Sequence, residues 1–265
     1  MKTKAKPKSN GVILWRGPSQ LDGHEIVVIA IGLRRKSANG KTGALLQTYI
    51  LRTDLSPKDA VATGADFSIC GNCKLRPVAF VAMGRVWRRL RRCYVNLGQG
   101  PLNVFKALQR GVYPQLPEND LPAVVEVGRG RDVRIGTYGD PAAVPLWVWA
   151  ALIQAAADHT AYTHQHAMAP QLRGICMASA DTVEEAQAAQ AAGWRYFRVV
   201  QPGDPLKLPG EAKCPASAES GRKLQCQDCM ACSGAGSGRR GSIVIQAHGG
   251  FATMHAVRQL ARVRP

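Results

Sequence analysis

From about Val133 onwards, strand-like segments alternate with helix-like segments, and this alternation constrains the fold more than any other feature of the sequence. In chain order we predict strand Arg134–Gly139, helix Val144–Asp158, strands Thr160–His164 and Gly174–Ala178, helix Val183–Ala192, strands Arg195–Val200 and Ser242–Ala247, and helix Phe251–Val263. Strands joined by helices form βαβ units with parallel strands. We therefore expect residues 11–265 to form a single α/β domain built on a parallel barrel or partial barrel.

The residues before this region predict a different organisation. Met1–Asn10 carries four lysines and almost nothing apolar, which indicates a flexible basic arm. Apolar segments between turn signals then predict a β-rich N-terminal segment with strands at Val12–Trp15, Glu25–Gly32 and Gly43–Leu51. Proline starts and glycine stops predict two short helices, Pro57–Thr63 and Pro101–Arg110.

The composition excludes several classes of protein. Of the 265 residues, 46% are hydrophobic, which is too many for a disordered chain. The longest uncharged apolar stretch, residues 142–157, is shorter than the roughly 20 residues that a membrane helix needs. No apolar leader follows the lysine-rich start. We therefore expect a cytoplasmic protein with no membrane partner.

Seven of the eight cysteines fall into two clusters, and only Cys176 stands apart. The second cluster, Cys214, Cys226, Cys229 and Cys232, has the spacing C-x11-C-x2-C-x2-C. Two-residue gaps let thiolates from one loop turn towards one centre, and a fourth thiolate from a preceding loop closes the site. This spacing favours a [4Fe–4S] cluster, with tetrahedral zinc as the alternative.

The first cluster has three cysteines, Cys70, Cys73 and Cys93. Three thiolates could hold an iron–sulfur cluster and leave one iron free for a substrate or S-adenosylmethionine, which is the open position that catalytic sites require. The alternative is a structural zinc completed by His24 or another residue. The sequence thus predicts metal-binding loops at residues 70–93 and 214–232, holding one or two iron–sulfur clusters or zinc.

Several short motifs resemble those of phage- and plasmid-encoded proteins of uncharacterised function, the gene-product-88-like group. The motifs lie within residues 35–248 and are Ser37–Gly43, Cys70–Cys73, Cys93–Tyr94, Arg134–Pro141, Thr160–His164, Gly193–Arg198 and the Cys214–Cys232 run. In that group a radical-SAM-like barrel occurs together with paired cysteine sites. The resemblance implies an iron–sulfur protein of a phage or mobile element, acting in the host cytoplasm.

Two polar residues follow predicted strands and are candidates for catalysis. Asp140 follows strand Arg134–Gly139, and His164 ends the next strand. Ligands of parallel α/β folds bind beyond the carboxyl ends of the strands, so these residues could act as general base and acid. The alternative is that Asp140 caps the following helix and that His164 has a structural role.

The chain has 35 Lys and Arg against 18 Asp and Glu, a formal charge of +17. On a helix, four arginines near residue 90 would share one face, Trp87 could stack on a base, and Lys41 could contact a phosphate. These residues predict electrostatic nucleic-acid binding without sequence reading, and a solvated basic face is the alternative. The candidate nucleic-acid contacts are Lys41, Arg85, Trp87, Arg88, Arg89 and Arg92.

Two main hypotheses for function follow from the sequence, and a zinc-bearing base-exchange enzyme on a barrel is a third. The first is an iron–sulfur protein, a radical-SAM-like enzyme acting on nucleic acid or a nucleotide. The second is a non-catalytic nucleic-acid-binding protein whose cysteine sites hold structural zinc.

Overall fold

A computed structural model describes residues 9–35, 40–82, 85–90, 93–201, 203–239 and 241–247. Residues 1–8 of the predicted basic arm, the predicted helix Phe251–Val263 and Arg92 lie outside the described residues. In the described part of the chain, no helix has the length and apolar character needed to cross a membrane.

The N-terminal segment folds as an antiparallel meander of three strands, β1 (Gly11–Pro18), β2 (Glu25–Ile31) and β3 (Leu46–Arg52). Runs of β-branched residues favour the extended backbone, and the interior residues of β2 and all of β3 are buried. All three predicted strands are confirmed within a few residues of their ends.

The parallel strands lie in two sheets, and β3 belongs to the first of them. The first has the order β1-β2-β3-β6-β7, where β6 is Asp132–Tyr138 and β7 is Asp158–Thr160. The strands of the second sheet are β8 (Tyr162–Thr163), β9 (Met177–Ala180), β10 (Tyr196–Val200), β11 (Glu211–Lys213) and β12 (Ser242–Gln246). Their order is β11-β12-β10-β9-β8, and every neighbouring pair is parallel.

The two sheets meet at Ala161, the single residue between β7 and β8. The backbone N–H of Met177 donates to the carbonyl oxygen of Ala161 at 2.9 Å, so pairing continues across the junction. The structure is therefore a mixed α/β protein with two parallel-rich sheets, as the alternation of elements predicted. The closed or partly closed barrel stays a prediction.

Seven α-helices connect the strands of the described chain. They are α1 (Pro57–Thr63), α2 (Phe67–Cys70), α3 (Gly100–Gln109), α4 (Leu121–Gly128), α5 (Leu146–Gln154), α6 (Val183–Ala191) and α7 (Cys226–Cys229). The predicted α1, α3 and α6 are confirmed. The predicted helix Val144–Asp158 is too long, because Pro145 lies outside α5 and Asp158 already belongs to β7.

The arginine-rich segment is a strand rather than the helix that its charge spacing suggested. Strand β5 (Arg85–Leu90) pairs antiparallel with β4 (Val78–Ala82), and the two form a separate sheet. The apolar, partly β-branched segment before it favours a hairpin partner over a helix. A strand repeats every two residues, so the helical spacing on which the shared face of Arg85, Arg88 and Arg89 depended does not apply in β5.

Candidate functional site

One large cavity lies where the parallel strands end, and its volume is about 1160 Å³. Asp140 borders it after β6, His164 after β8, Asp181 after β9 and Gln246 at the end of β12. Carboxyl ends of parallel strands are the usual ligand sites of α/β folds. Both predicted catalytic residues therefore border one cavity, although their roles stay predictions.

All seven clustered cysteines line this same cavity: Cys70, Cys73, Cys93, Cys214, Cys226, Cys229 and Cys232. The eighth, Cys176, is fully buried in the hydrophobic core and does not line the cavity. The structure thus joins two loops that lie far apart in the sequence.

The first cysteine site is attached to the end of β6 by α2. The backbone N–H of Asp140 donates to the carbonyl oxygen of Ile69 at 2.6 Å, next to Cys70. Gly139 leaves room for this approach, because a Cβ there would lie 3.2 Å from the carbonyl oxygen of Ile69 and 2.6 Å from the Cβ of Ile50, and its φ is +86°. A glycine is therefore required for α2 to place Cys70 at the strand end.

Gln165 holds the turn between Cys70 and Cys73. Its side-chain amide donates to the carbonyl oxygen of Cys70 at 3.1 Å and accepts from the backbone N–H of Asn72 at 3.2 Å. Gln165 is buried, so both bonds are shielded from water. We did not predict this positioning role, because the partners lie on distant segments of the chain.

The three thiols of the first site interact with one another. Burial raises the pKa of the Cys70 thiol well above its usual value, and negative charge on Cys73 and Cys93 raises it further. The loop closes through a hydrogen bond from the backbone N–H of Cys93 to the carbonyl oxygen of Leu75 at 2.9 Å. Deprotonation of the Cys70 thiol is therefore favoured by a positive charge, such as a metal, beside it.

His164 directly follows β8 and lies beside the first site. Its Nε2 lies 3.5 Å from a carboxylate oxygen of Asp181. Burial lowers the pKa of the His164 imidazole, but the nearby Asp181 carboxylate and Cys73 thiol outweigh burial and raise it well above the usual value. The predicted alternative, His24, does not line the cavity and pairs with Asp22 at 3.3 Å instead.

The Asp140 carboxylate is occupied by donors of the protein. It accepts hydrogen bonds from the backbone N–H of Ala142 at 3.0 Å, the hydroxyl of Thr163 at 2.7 Å and the backbone N–H of His164 at 2.8 Å. Burial raises the pKa of this carboxyl, although the three donors oppose the shift. Asp140 caps the 3-10 turn Pro141–Ala143, as the alternative interpretation held, and it also connects the ends of β6 and β8.

The second cysteine site is assembled from three segments. Cys214 follows β11, and its backbone N–H donates to the carbonyl oxygen of Val244 at 2.8 Å. Helix α7 carries two of the cysteines, and the carbonyl oxygen of Cys232 accepts from the backbone N–H of Ala161 at 2.9 Å. Burial raises the pKa of the Cys232 thiol to about 12, although a hydrogen bond with Tyr162 opposes the shift. This thiol therefore also stays protonated until a cation binds.

Two cations lie beside the second site. The positive charges of Arg134 and Lys41 lower the pKa of the Cys226 thiol, against the larger opposing effect of burial. The backbone N–H of Cys226 donates to the carbonyl oxygen of Lys41 at 3.0 Å. Lys41, predicted as a phosphate contact, therefore borders the second cysteine site.

Within the described residues, no group of three or more His, Cys, Asp or Glu side chains is close enough to hold a metal ion. The thiols of each site act on one another electrostatically without converging on a single point. Among the predicted nucleic-acid contacts, Arg85, Trp87, Arg88 and Arg89 belong to β5.

Arg134, Tyr162 and Asp181 also border the cavity, and we did not predict a role for any of them. The signal for Arg134 is present in the sequence, because a charged residue stands between two apolar residues, Val133 and Ile135, of a parallel strand. Asp181 follows β9 as Asp140 follows β6. Its place at the carboxyl end of a parallel strand was therefore a signal that could have identified it as well.

No family model, no curated protein and no solved structure matches this chain. The resemblance to the gene-product-88-like group stays a prediction.

Proposed function

We propose that this chain is an iron–sulfur protein in which two cysteine sites serve one ligand cavity, and that it is an enzyme rather than a structural module. The observation that carries the proposal is the shared cavity. Seven cysteines from two distant parts of the chain line it, together with His164 and Asp181. A protein that used metal only to hold its loops together would have no need to direct both sites into the same space.

The thiol arrangement favours clusters over single ions. A zinc ion binds all of its thiolates at about 2.3 Å, so the sulfurs must converge on one point. In a [4Fe–4S] cluster each thiolate binds a different iron, and the sulfurs lie further apart. The C-x2-C-x2-C spacing of Cys226, Cys229 and Cys232 is typical of the ligand runs of such clusters and supports the larger centre.

The first site is the better candidate for chemistry, because it has only three cysteines. A cluster there would offer one iron with an open position, which can hold a substrate or S-adenosylmethionine. His164 Nε2 lies 3.5 Å from Asp181, and the Asp181 carboxylate and Cys73 thiol raise the pKa of His164, so it can supply a proton at Nε2 or act as a fourth ligand. Asp140 acts as a positioning residue, because protein donors occupy its carboxylate.

The second site has four cysteines, so protein ligands would fill every position of its metal centre, as they do in structural and electron-transfer centres. We assign it the role of passing electrons to the first site. A nucleotide or a nucleic acid is the substrate that fits the basic charge of the chain, and a phage or mobile element in a host cytoplasm is the setting that the motif resemblance implies.

A second candidate function is nucleic-acid binding with structural zinc. One observation favours it: the arginine-rich strand β5 forms a two-stranded antiparallel ribbon with β4. A ribbon of this kind fits the major groove of B-DNA, and its arginines would contact phosphates.

The test is iron and sulfide analysis of site variants purified without oxygen. We expect the pair Cys70→Ser/Cys73→Ser to lose about half of the iron and the pair Cys226→Ser/Cys229→Ser to lose the other half. Cys176→Ala is the matched control, since this core cysteine does not line the cavity, and it should keep all the iron. If both double variants contained as much iron as the wild type, the proposal would be contradicted. Zinc in place of iron in the wild type would contradict it as well.

A further inference from the structure

The guanidinium of Arg134 has no acceptor for its hydrogen bonds among the described residues. Arg134 lies on β6 and lines the cavity, with its guanidinium carbon 5.5 Å from the centre of the Tyr162 ring. A contact of this kind with an aromatic ring leaves the five N–H groups of the guanidinium in need of acceptors, because they donate within the guanidinium plane. A charge in a partly buried position such as this normally has a partner of opposite sign.

The acidic residues on the described cavity wall do not supply that partner. Asp66 pairs with Arg76 at 2.8 Å, and Asp181 lies beside His164 at 3.5 Å. Asp140 accepts three hydrogen bonds from other residues. All three carboxylates thus interact with residues around the first cysteine site, and none pairs with Arg134.

The cysteines of the second site are poor acceptors for these N–H groups. Negative charge on Cys226 and Cys232 would attract Arg134. Thiolates that bind a metal, however, direct their lone pairs at it, and sulfur is a weak acceptor in any case. The planar fork of a guanidinium matches the two oxygens of a carboxylate or phosphate.

Lys41 brings a second cation to the same end of the cavity. Its segment is held against α7 by hydrogen bonds from the backbone N–H groups of Cys226 at 3.0 Å and Gln227 at 3.2 Å. Both Lys41 and Arg134 are close enough to act electrostatically on the Cys226 thiol. The cavity, at about 1160 Å³, exceeds the volume of a typical small-molecule pocket and leaves room for a ligand.

We propose that Arg134 and Lys41 bind an oxyanion, the phosphate or carboxylate group of a small-molecule ligand, beside the second cysteine site. This assigns a substrate class to the cavity, and it rests on the proposed function only in taking that cavity as the ligand site. Arg134 binds the oxyanion in bidentate fashion, Lys41 adds a point charge, and Tyr162 fixes the orientation of the guanidinium. The rest of the ligand would extend towards the first cysteine site.

The test is calorimetric titration of the full-length protein, purified without oxygen, with matched charged and neutral probes. Adenosine monophosphate is compared with adenosine to test a phosphate, and succinate with succinamide to test a carboxylate. We expect the charged member of one pair to bind at least about tenfold more tightly than its neutral match, and Arg134→Gln to remove that difference. Arg134→Lys, which keeps the charge but loses the fork, should give an intermediate affinity.

Arg129→Gln is the matched control, because it removes one positive charge at an exposed position paired with Glu126. It should leave the affinities within about twofold of the wild type. The inference is overturned if neither charged probe is preferred, if Arg134→Gln and Arg129→Gln behave alike, or if Arg134→Gln changes only the absorption spectrum of a bound cluster.

The same samples separate this inference from the proposed function. Binding that depends on Arg134 in a protein without iron would contradict the proposed function and support the oxyanion site. Iron at both sites without binding that depends on Arg134 would do the reverse. Circular dichroism of Arg134→Gln and Arg134→Lys checks that both variants are folded, so that a loss of binding can be assigned to the side chain.

Discussion

At the scale of single residues, the cavity depends on buried polar groups with several partners each. Asp140 is the clearest case, because one carboxylate satisfies donors from the 3-10 turn after β6 and from the end of β8. Its place after a strand of the predicted parallel sheet suggested a catalytic base. The three donors indicate that its main task is to hold two strand ends, and with them His164, in place.

We predict that Asp140→Asn lowers the free energy of unfolding by about 1–3 kcal/mol, because an amide NH₂ must replace one of the two oxygens that accept hydrogen bonds. The measurement is the urea midpoint at pH 7. Asp120→Asn is the matched control: Asp120 caps α4 by accepting from the backbone N–H of Ala123 at 3.0 Å, and asparagine caps equally well. Similar losses in both variants would contradict this account.

The ion pair between Arg198 and Glu211 predicts a dependence of stability on pH. Both side chains are fully buried, and two hydrogen bonds of 2.7 Å join them across β12. Burial alone would raise the pKa of Glu211, but the bonds from Arg198 and from the backbone N–H of Leu208 hold it below its usual value. The stabilisation is therefore present above the pKa of the unfolded glutamate and is lost as the pH falls through the lower, folded-state pKa.

We predict that Glu211→Gln costs about 3–5 kcal/mol at pH 7, because it leaves Arg198 buried without a counter-charge. The difference from the wild type should shrink as the pH falls below about 4.5 in urea titrations. Glu25→Gln removes the exposed partner of Arg16 and should cost no more than about 1 kcal/mol at any pH. A pH-independent loss in Glu211→Gln would contradict the assignment.

At the scale of elements, the sequence predicts best where local patterns decide the structure. Ser56 accepts a hydrogen bond from the backbone N–H of Asp59 at 3.2 Å, and Gly64 ends α1 with a φ of +85°, as proline start and glycine stop predicted. The arginine segment misled us because charge spacing indicates a helix only when the backbone is already helical. The apolar residues 78–82 decide its structure by offering β5 a strand to pair with.

The hairpin of β4 and β5 carries a prediction for nucleic-acid binding. If its arginines contact phosphates, the triple variant Arg85→Gln/Arg88→Gln/Arg89→Gln should reduce the slope of log K against log salt concentration by about 2–3. The measurement is fluorescence anisotropy with single-stranded and double-stranded oligonucleotides. A control that removes three exposed arginines elsewhere, Arg16, Arg110 and Arg129, should change the slope less. Equal changes would show that only the net charge matters.

At the scale of the whole molecule, the main feature is that two cysteine loops share one cavity. Each loop is visible in the sequence, because close spacing of cysteines is a local pattern. Their meeting is not, since it depends on the order of strands β6 to β12 around the junction at Ala161. For the same reason the neighbours of His164, Asp181 after β9 and Cys73 in the first cysteine loop, could not be assigned from the sequence.

The most direct test of the central claim is metal and sulfide analysis of the wild-type protein purified without oxygen, together with its absorption spectrum. The account predicts about eight irons and about eight sulfides per chain and a broad band near 400 nm that bleaches on reduction. About four irons would restrict the claim to one of the two sites. A colourless protein that contains zinc alone would contradict it and would favour the nucleic-acid-binding module.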